Sequence, residues 1–190
     1  MTFDQLVLLL EADEGIEVKR EYWDDAKTKL KSEIWYNPEL EIVEDDQQFF
    51  YYHRLDGPAV QTWYKNNQKN TETWIKDNRY HRIDGPAYQS WYETGQKRYE
   101  EWYKDGKYHR LDVPAVQTWY KNDQKRSEHW FKDGKYHRLD GPAKQEWDKN
   151  GNKVTEDYYL NGKELTPNEF KQLHKQYNSD DLDILDDLNT

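Results

Sequence analysis

The sequence predicts a mainly β protein, an elongated antiparallel β-meander of 28-residue hairpin repeats with short capping helices at its N- and C-terminal ends. Three observations predict this class. Turn-forming dipeptides recur at two fixed positions, and runs of strand length rich in Trp, Tyr and Thr lie between them. A fixed period in this range is typical of stacked arrays, in which each unit buries its apolar surface against its neighbours. The period is marked by His-Arg-Leu/Ile-Asp, which returns every 28 residues at His53, His81, His109 and His137.

Two elements that precede the array differ from the later repeats. Residues 1–16 are expected to form an N-terminal capping helix, and residues 17–56 a degenerate first repeat. Within that repeat, Glu17–Tyr36 has the pattern of a hairpin, and an acidic insertion at Asn37–Gln48 delays the first His-Arg pair. Terminal units that close an open array are what a repeat protein of this kind requires.

Residues 57–165 form the regular array, and each repeat carries two turn signals. Both signals are dipeptides that accept positive φ at two successive residues, as a type I′ two-residue turn requires. A two-residue loop at the first signal would pair Trp63 with Asn70 and Gln61 with Glu72. The first signal is Asn66-Asn67, Thr94-Gly95, Asn122-Asp123 or Asn150-Gly151, and the second is Asp77-Asn78, Asp105-Gly106, Asp133-Gly134 or Asn161-Gly162.

Side-chain alternation along each strand divides the repeated residues between two faces. We expect the inner face to be the one on which small Ala opposes large Trp, and it receives Ala59, Gln61, Trp63, Glu72 and Trp74. The outer face is expected to receive Val60, Thr62, Tyr64, Lys69, Thr71, Thr73, Ile75, Tyr80 and Arg82. The Asp-Gly-Pro-Ala stretch should bend the chain, because Pro cannot donate to the sheet and Gly tolerates a bulge.

The last segment, residues 166–190, is expected to hold a helix and an acidic tail. Thr166-Pro167-Asn168-Glu169 has the pattern of a capping box with Pro at the first helical position, opening a helix that ends near Tyr177. The tail alternates acidic residues with Leu182, Ile184, Leu185 and Leu188. This pattern is typical of a short peptide that folds on a partner, and equally of an acidic tail that serves solubility.

The composition excludes several classes of function. Net charge is −10, but residues 57–140 carry 16 basic and 12 acidic side chains, so the acidity belongs to the ends. A nucleic-acid binder would need a stronger basic surface. The chain has no Cys, which excludes disulfides and Cys-based zinc sites, and no apolar run long enough to cross a membrane. We therefore expect a cytoplasmic protein without cofactors, without nucleic-acid or membrane partners, and monomeric or weakly self-associating.

The candidate site residues favour binding over catalysis. The sequence shows no nucleophile–base pair, metal cluster or phosphate loop, so we expect no enzyme. Successive His copies would lie two strands apart, too far to share a metal ion, and each His is expected to bond a neighbouring Asp or carbonyl instead. Tyr and Arg are common anchors of protein interfaces. The candidate binding row is Tyr64, Tyr92 and Tyr120 with Arg82, Arg110 and Arg138.

The repeat resembles a known superfamily. Tyr158–Lys163 and Trp102–Lys107 resemble the strand-turn motif of MORN repeats, in the variant found in bacterial YwqK-type proteins, and Tyr52–Ala59 is similar to repeats of bacteriophage and large-DNA-virus proteins. The resemblance covers roughly residues 17–165 and implies an elongated antiparallel sheet that contacts proteins and has no catalytic role. We therefore expect a phage or viral scaffold that binds a host or viral protein. The alternative is a carbohydrate-binding array that uses exposed aromatic side chains. Open sheet ends would allow end-to-end association, whereas terminal caps argue against it.

Overall fold

The protein is mainly β, as expected, and forms one long antiparallel meander. A computed structural model describes residues 15–44 and 47–177. The predicted N-terminal helix, residues 1–16, lies largely outside the described residues, and the acidic tail from residue 180 onward lies wholly outside them. The strands are β1 (Glu17–Tyr22), β2 (Leu30–Glu44), β3 (Gln47–Tyr52), β4 (Val60–Trp63), β5 (Lys69–Thr73), β6 (Ile75–Lys76), β7 (Arg79–Tyr80), β8 (Tyr88–Trp91), β9 (Lys97–Glu101), β10 (Tyr103–Lys104), β11 (Lys107–Tyr108), β12 (Val116–Trp119), β13 (Lys125–His129), β14 (Phe131–Lys132), β15 (Lys135–Tyr136), β16 (Lys144–Trp147), β17 (Lys153–Leu160) and β18 (Lys163–Leu165).

Each repeat supplies one long hairpin and one short hairpin. The long hairpins form a 12-stranded sheet in the order β1-β2-β4-β5-β8-β9-β12-β13-β16-β17-β18, with β3 paired beside β2. The short hairpins β6-β7, β10-β11 and β14-β15 form separate two-stranded sheets. The chain leaves the long sheet at Trp74, whose N–H donates to the carbonyl oxygen of Ala87 in the next repeat at 2.6 Å. The same bond joins Trp102 to Ala115 and Trp130 to Ala143.

The two kinds of turn differ from each other. The second turn has positive φ at both residues, 51° at Asp77 and 57° at Asn78, as a type I′ turn requires. The first was predicted to be type I′ and is not, because in its pair Asn67 alone has positive φ, 65°. Tyr64 closes a three-residue loop by accepting from Asn67 N–H at 3.0 Å and donating to Gln68 O at 2.9 Å. A bulge follows, so Trp63 lies opposite Lys69 instead of Asn70.

A polar ladder crosses the whole sheet at one level. Beyond the bulges the register is as predicted, with Gln61 opposite Glu72, and the same pairing continues from strand to strand. Gln117 Nε2 donates to Glu128 Oε1 at 3.0 Å, which satisfies both groups within the sheet. The ladder consists of Arg20, Glu33, Gln61, Glu72, Gln89, Glu100, Gln117, Glu128, Gln145 and Glu156.

The expectation of one inner and one outer face is wrong. Tryptophans flank the polar ladder on one face, here called the Trp face, and most of them are half-buried. The opposite face carries a row of small hydroxyl side chains, and Ser90 and Thr118 in it are buried too. Lys69 lies on the Trp face, where it pairs with Glu72, because the bulge reverses its direction. Burial is therefore shared between both faces and the bends.

The tightest packing lies where the chain bends between repeats. Ala59, Ala87, Ala115 and Ala143 have no exposed surface. Beside these bends the short hairpins stack their rings in one continuous line, with centroid separations from 4.3 to 5.1 Å. The line consists of Tyr80, Tyr103, Tyr108, Phe131, Tyr136 and Tyr159.

Two of the predicted terminal elements lie within the described residues, the first hairpin and the C-terminal helix. Glu17–Tyr36 is a hairpin, with Arg20 opposite Glu33, and the backbone of the acidic insertion extends it as β2 and β3. Helix α1 (Pro167–Tyr177) opens with the predicted capping box, in which Glu169 N–H donates to Thr166 Oγ1 at 3.2 Å and Thr166 N–H donates to Glu169 Oε2 at 2.7 Å. Among the described residues, no helix has the length and apolar character needed to span a bilayer.

We predict that Ala87→Leu destabilises the fold by about 1–3 kcal/mol, the usual cost of overpacking a closed site. The site is closed because Ala87 has no exposed surface and its carbonyl binds the preceding repeat. Urea unfolding followed by tryptophan fluorescence measures the change. Val154→Leu adds a methylene at an exposed position of the same sheet and should leave the midpoint unchanged. Equal midpoints for the two variants would show that the bend is not closely packed.

Candidate binding surface

The predicted tyrosine row ties one repeat to the next. Tyr64, Tyr92 and Tyr120 follow the tryptophans that end β4, β8 and β12, and all three are half-buried. Their hydroxyls donate to the carbonyl oxygens of Trp91, Trp119 and Trp147 at 3.0, 2.9 and 3.0 Å. Each tyrosine therefore uses its hydroxyl group inside the array, and only part of its ring is accessible to a partner.

The predicted arginine row lies on the Trp face and does not join the tyrosines. The guanidinium carbons of Arg82, Arg110 and Arg138 lie 4.0, 3.8 and 3.8 Å from the ring centroids of Trp74, Trp102 and Trp130. Their placement on the outer face was wrong, because the chain has left the sheet at this point and strand alternation no longer applies. The predicted binding row is thus divided into two separate sets.

Arg82 and Arg138 are each held by three contacts. Arg82 stacks on Trp74, donates from Nε to Asp84 Oδ1 at 3.0 Å, and donates from Nη1 to the carbonyl oxygen of Pro86 at 3.5 Å. The expected pairing of each Asp with its own Arg is confirmed in three copies. The hydrogen bond from Arg82 holds the pKa of Asp84 below its ordinary value. The guanidinium groups are used in contacts that stabilise the bend, so they have little uncompensated charge with which to bind a partner.

Glycine at the bend gives the arginine room. A Cβ at Gly85 would lie 2.5 Å from the guanidinium carbon of Arg82. The third repeat has Val113 at this position, and among the described residues Arg110 makes no hydrogen bond or ion pair with Asp112, although it keeps its stack on Trp102. The glycine therefore permits the ion pair, while the stack persists without it.

The repeated histidines bind residues of the following repeat and stabilise the array. The Nδ1 atom of His81 lies 2.9 Å from Asp105 Oδ1 and 3.2 Å from the backbone nitrogen of that residue, so the predicted bond to a neighbouring Asp is confirmed. Nδ1 of His137 accepts from Asn161 N–H at 3.1 Å. Within residues 15–44 and 47–177, no three His, Asp or Glu side chains are placed to hold a metal ion.

The indole rings have little free surface for stacking a sugar or a base. The arginines lie over one set of rings, and lysines such as Lys69 approach the other set, 5.8 Å from the ring of Trp91. The indole N–H of Trp74 donates to Glu72 Oε1 at 3.0 Å. Burial alone would raise the pKa of Glu72, but hydrogen bonds from Lys69 and Trp74 hold it below its ordinary value. Trp74 therefore supplies a hydrogen-bond donor to a glutamate of the polar ladder.

One half-buried carboxyl group on the hydroxyl face has a raised pKa. Burial raises the pKa of Glu101, which accepts from the hydroxyls of Tyr103 and Tyr108 at 3.0 and 3.1 Å. Burial also raises the pKa of Tyr108 to about 12. His129 lies in the same row but two strands away, about 9–10 Å at standard spacing, which is too far for direct proton transfer. This group of residues holds the fold and has no catalytic arrangement.

One set of exposed, repeated aliphatic side chains was overlooked by sequence reasoning. The third residue of each His-Arg-Leu/Ile-Asp unit points away from the bend, and we call this set the aliphatic row. The exposed fractions are 42% for Leu55, 88% for Ile83, 67% for Leu111 and 47% for Leu139. The sequence contained a signal for the aliphatic row, because an aliphatic residue stands at this position in every copy although the chain has a mean hydropathy of −1.38.

The aliphatic row borders an open cavity between two repeats. Between Leu111 and Leu139 lies a cavity of about 570 Å³, whose walls include Trp130, Phe131 and the paired Arg138 and Asp140. Successive copies of the row are separated by two strands, or about 9–10 Å at standard strand spacing. The row therefore presents the same apolar contact at regular intervals and borders a shallow amphipathic recess.

Comparison with family models, with curated proteins and with solved structures finds no match to this chain. The resemblance to MORN-type repeats consequently rests on the sequence motifs, and the binding surface rests on the geometry above.

We predict that Gly85→Ala destabilises the protein by about 1–2 kcal/mol, because the added Cβ would lie 2.5 Å from the guanidinium carbon of Arg82 and would force that group away from Asp84. Chemical unfolding measures the loss. In an Arg82→Ala background the same substitution meets no guanidinium and should cost less than about 0.5 kcal/mol. Replacing glycine also lowers the backbone entropy of the unfolded chain, and this effect is the same in both backgrounds, so it cancels when the two costs are compared. An equal cost in both backgrounds would contradict the steric explanation.

We also predict that stability falls as pH decreases below about 6.5. Burial lowers the pKa of His137 from its ordinary 6.5, so the unfolded chain takes up this proton more readily. The stabilisation is complete above pH 6.5 and is lost as pH falls toward the folded-state pKa. Melting temperatures between pH 7.5 and 5.5 should fall less steeply for His137→Gln than for the wild type. Glu101, whose raised pKa has the opposite effect, is common to both proteins and cancels. Parallel curves would contradict the prediction.

Proposed function

We propose that this protein is a non-enzymatic β-repeat scaffold that binds another protein through the aliphatic row. The observation that carries the proposal is the exposure of Leu55, Ile83, Leu111 and Leu139 in one register. Regular apolar side chains rimmed by polar groups mark protein contacts more often than they mark ordinary surface. Here the rim is supplied by the neighbouring Arg–Asp pairs.

The chemistry of the row favours a protein partner over other ligands. Each exposed aliphatic side chain is followed by an Asp that, in three copies, its own Arg neutralises, so the row has little charge with which to hold phosphate. A sugar needs an open aromatic ring, and the indole rings on the Trp face are approached by Arg and Lys. Aliphatic side chains gain binding energy by removing apolar area of a partner from water.

The repeat geometry favours several weak contacts made together. The stacked rings and the polar ladder hold successive copies at one spacing, so a partner with apolar groups at that spacing would meet several copies at once. Once one copy is engaged, the next contact is intramolecular and benefits from a high effective concentration. The tyrosine row, Tyr64, Tyr92 and Tyr120, would then serve to keep this spacing rigid.

The setting of this interaction is proposed from the sequence resemblance. The likeness of Tyr52–Ala59 to phage and large-virus repeats supports a viral scaffold acting in the host cytoplasm or as a minor virion component. The partner would then be a host or viral protein.

We predict that replacing Ile83, Leu111 and Leu139 together by Ser abolishes capture of the partner protein from host lysate. Each single replacement should weaken capture severalfold, since the remaining copies still act together. Melting temperature should change little, because these side chains are exposed. Affinity capture with the purified chain as bait, quantified by mass spectrometry, measures the loss. A specific protein that is captured by the wild type and lost in the triple variant supports the proposal.

Two controls separate this surface from its competitors. Val154→Ser removes an equally exposed aliphatic side chain outside the row and should leave capture unchanged. Deletion of residues 180–190 tests the tail with Leu182, Ile184, Leu185 and Leu188. If that deletion alone abolishes capture while the triple Ser variant binds normally, the array is a spacer and the proposal is wrong. Binding in a glycan array that survives the triple Ser replacement would favour the carbohydrate alternative.

A further inference from the structure

Near each end of the long sheet, one strand segment has a neighbour on one side only. Within the described residues, β17 pairs with β16 along Lys153–Asp157 and with β18 along Tyr158–Leu160, so the segment Lys153–Asp157 has no described strand on the side away from β16. The equivalent strands β5, β9 and β13 each have a strand on both sides. The polar ladder shows the difference, because Glu156 is 40% exposed whereas Glu72, Glu100 and Glu128 are 14%, 14% and 11% exposed.

The backbone groups of Glu156 point toward this open side. In β13, Trp130 donates to Ala143 of the next strand, so by antiparallel alternation Glu128 also exchanges hydrogen bonds with that strand. Glu156 is the equivalent of Glu128 one period later. The first turn of helix α1 lines the groove beside Glu156, and Phe170 stacks on Tyr158 at 4.7 Å.

The first strand presents the matching edge. Trp35 N–H donates to Ala59 O, so Glu33 and Trp35 direct their backbone groups toward β4. By the same alternation, the residue of β1 opposite Glu33, which is Arg20, directs its N–H and C=O away from β2. Within the described chain no strand pairs with β1 on that side.

The direction and register of the two edges agree. The meander places β17 nine strands after β1, so the two run antiparallel, and a translated second copy would present its β1 antiparallel to β17. If the polar ladder continues across the junction, Arg20 of the second copy lies opposite Glu156 and Lys19 lies opposite Asp157. Both pairs join opposite charges, one on each face of the sheet.

The groove beside β17 has the charge that such a strand requires. Its cavity is about 450 Å³, and its lining contains Glu156, Asp157, Glu164 and Glu169 with no basic side chain. Glu156 and Asp157 also pair with Lys153 and Lys144, and a strand that carries Lys19 and Arg20 at its centre would add a second basic partner to each. Arg20 remains within 2.7 Å of Glu33, so it would lie between two carboxylates, as the ladder's glutamines do.

We propose that copies of this chain associate head to tail, β1 of one copy adding to β17 of another, so that the sheet and its polar ladder continue between molecules. The contact is heterologous, so it leaves a free edge at each end and builds open filaments instead of closed rings. Unpaired strand edges favour such addition unless charge or proline prevents it. The aliphatic row would continue along the filament, but the association does not depend on its function.

The test uses the full chain in sedimentation velocity across a wide concentration range. The wild type should show a mass that rises continuously above 23.3 kDa with concentration and falls with added salt. Lys19→Glu/Arg20→Glu and Glu156→Lys/Asp157→Lys should each weaken association about tenfold, because like charges then oppose each other at the junction. An equimolar mixture of the two variants should associate again, because the reversed edges match each other.

A second variant protects the test from a folding defect. Glu156→Pro removes the N–H that points to the open side, where an edge strand tolerates proline, and should abolish association while circular dichroism stays unchanged. The proposal is overturned if the wild type remains at 23.3 kDa at all concentrations. It is equally overturned if folded Glu156→Pro associates normally, or if the folded charge variants fail to recover association when mixed. If the Ser variants of the aliphatic row lose partner capture but still form filaments, the self-association is independent of the proposed function.

Discussion

The hydrogen bond from a tryptophan N–H to an alanine carbonyl of the following repeat organises this protein. It recurs at Trp74–Ala87, Trp102–Ala115 and Trp130–Ala143, and the alanines that accept it are completely buried. At this bond the long strand ends and the short hairpin begins. The bend then sets the arginine on the indole ring, turns the aspartate outward and leaves the next aliphatic side chain in solvent. The exposed row is thus a consequence of how the repeats are joined.

The stabilising contacts of this fold join each repeat mainly to the repeats next to it in the array. Stacked rings, tyrosine hydroxyls and the Gln–Glu ladder each link a repeat to its immediate neighbours. Such nearest-neighbour stabilisation lets an array be extended without changing its interior. It also means that an array ends with unsatisfied partners, and the exposure of Glu156 is the direct sign of this. A binding row along the array and a self-association site at its ends are compatible uses of the same architecture.

Repetition explains why the polar residues are abundant and have structural partners. His81, Arg82 and Asp84 belong to a phrase that occurs four times, and most copies have equivalent local partners. The exceptions within the described residues are Arg110, which lacks the ion pair with its Asp, and His137, which binds Asn161. A catalytic site brings different groups to one place, whereas here equal groups are held apart by two strands. Buried Glu101 has an unusual pKa, but its neighbours are hydroxyl donors that fix its position.

The sequence by itself determined the period, the meander, the Gln61–Glu72 register, the type I′ turns at Asp77-Asn78 and its equivalents, and the capping box at Thr166. These features depend on residues close in the chain, whose turn chemistry and alternation act locally. Only the tertiary structure decided where Arg82 lies, how Lys69 turns and which side chains remain exposed. A single bulge reverses alternation, and a hydrogen bond to the next repeat ends it altogether. Face assignment fails beyond such points because the direction of a side chain is then set by contacts between repeats, 13 to 27 residues apart, instead of by its position along the strand.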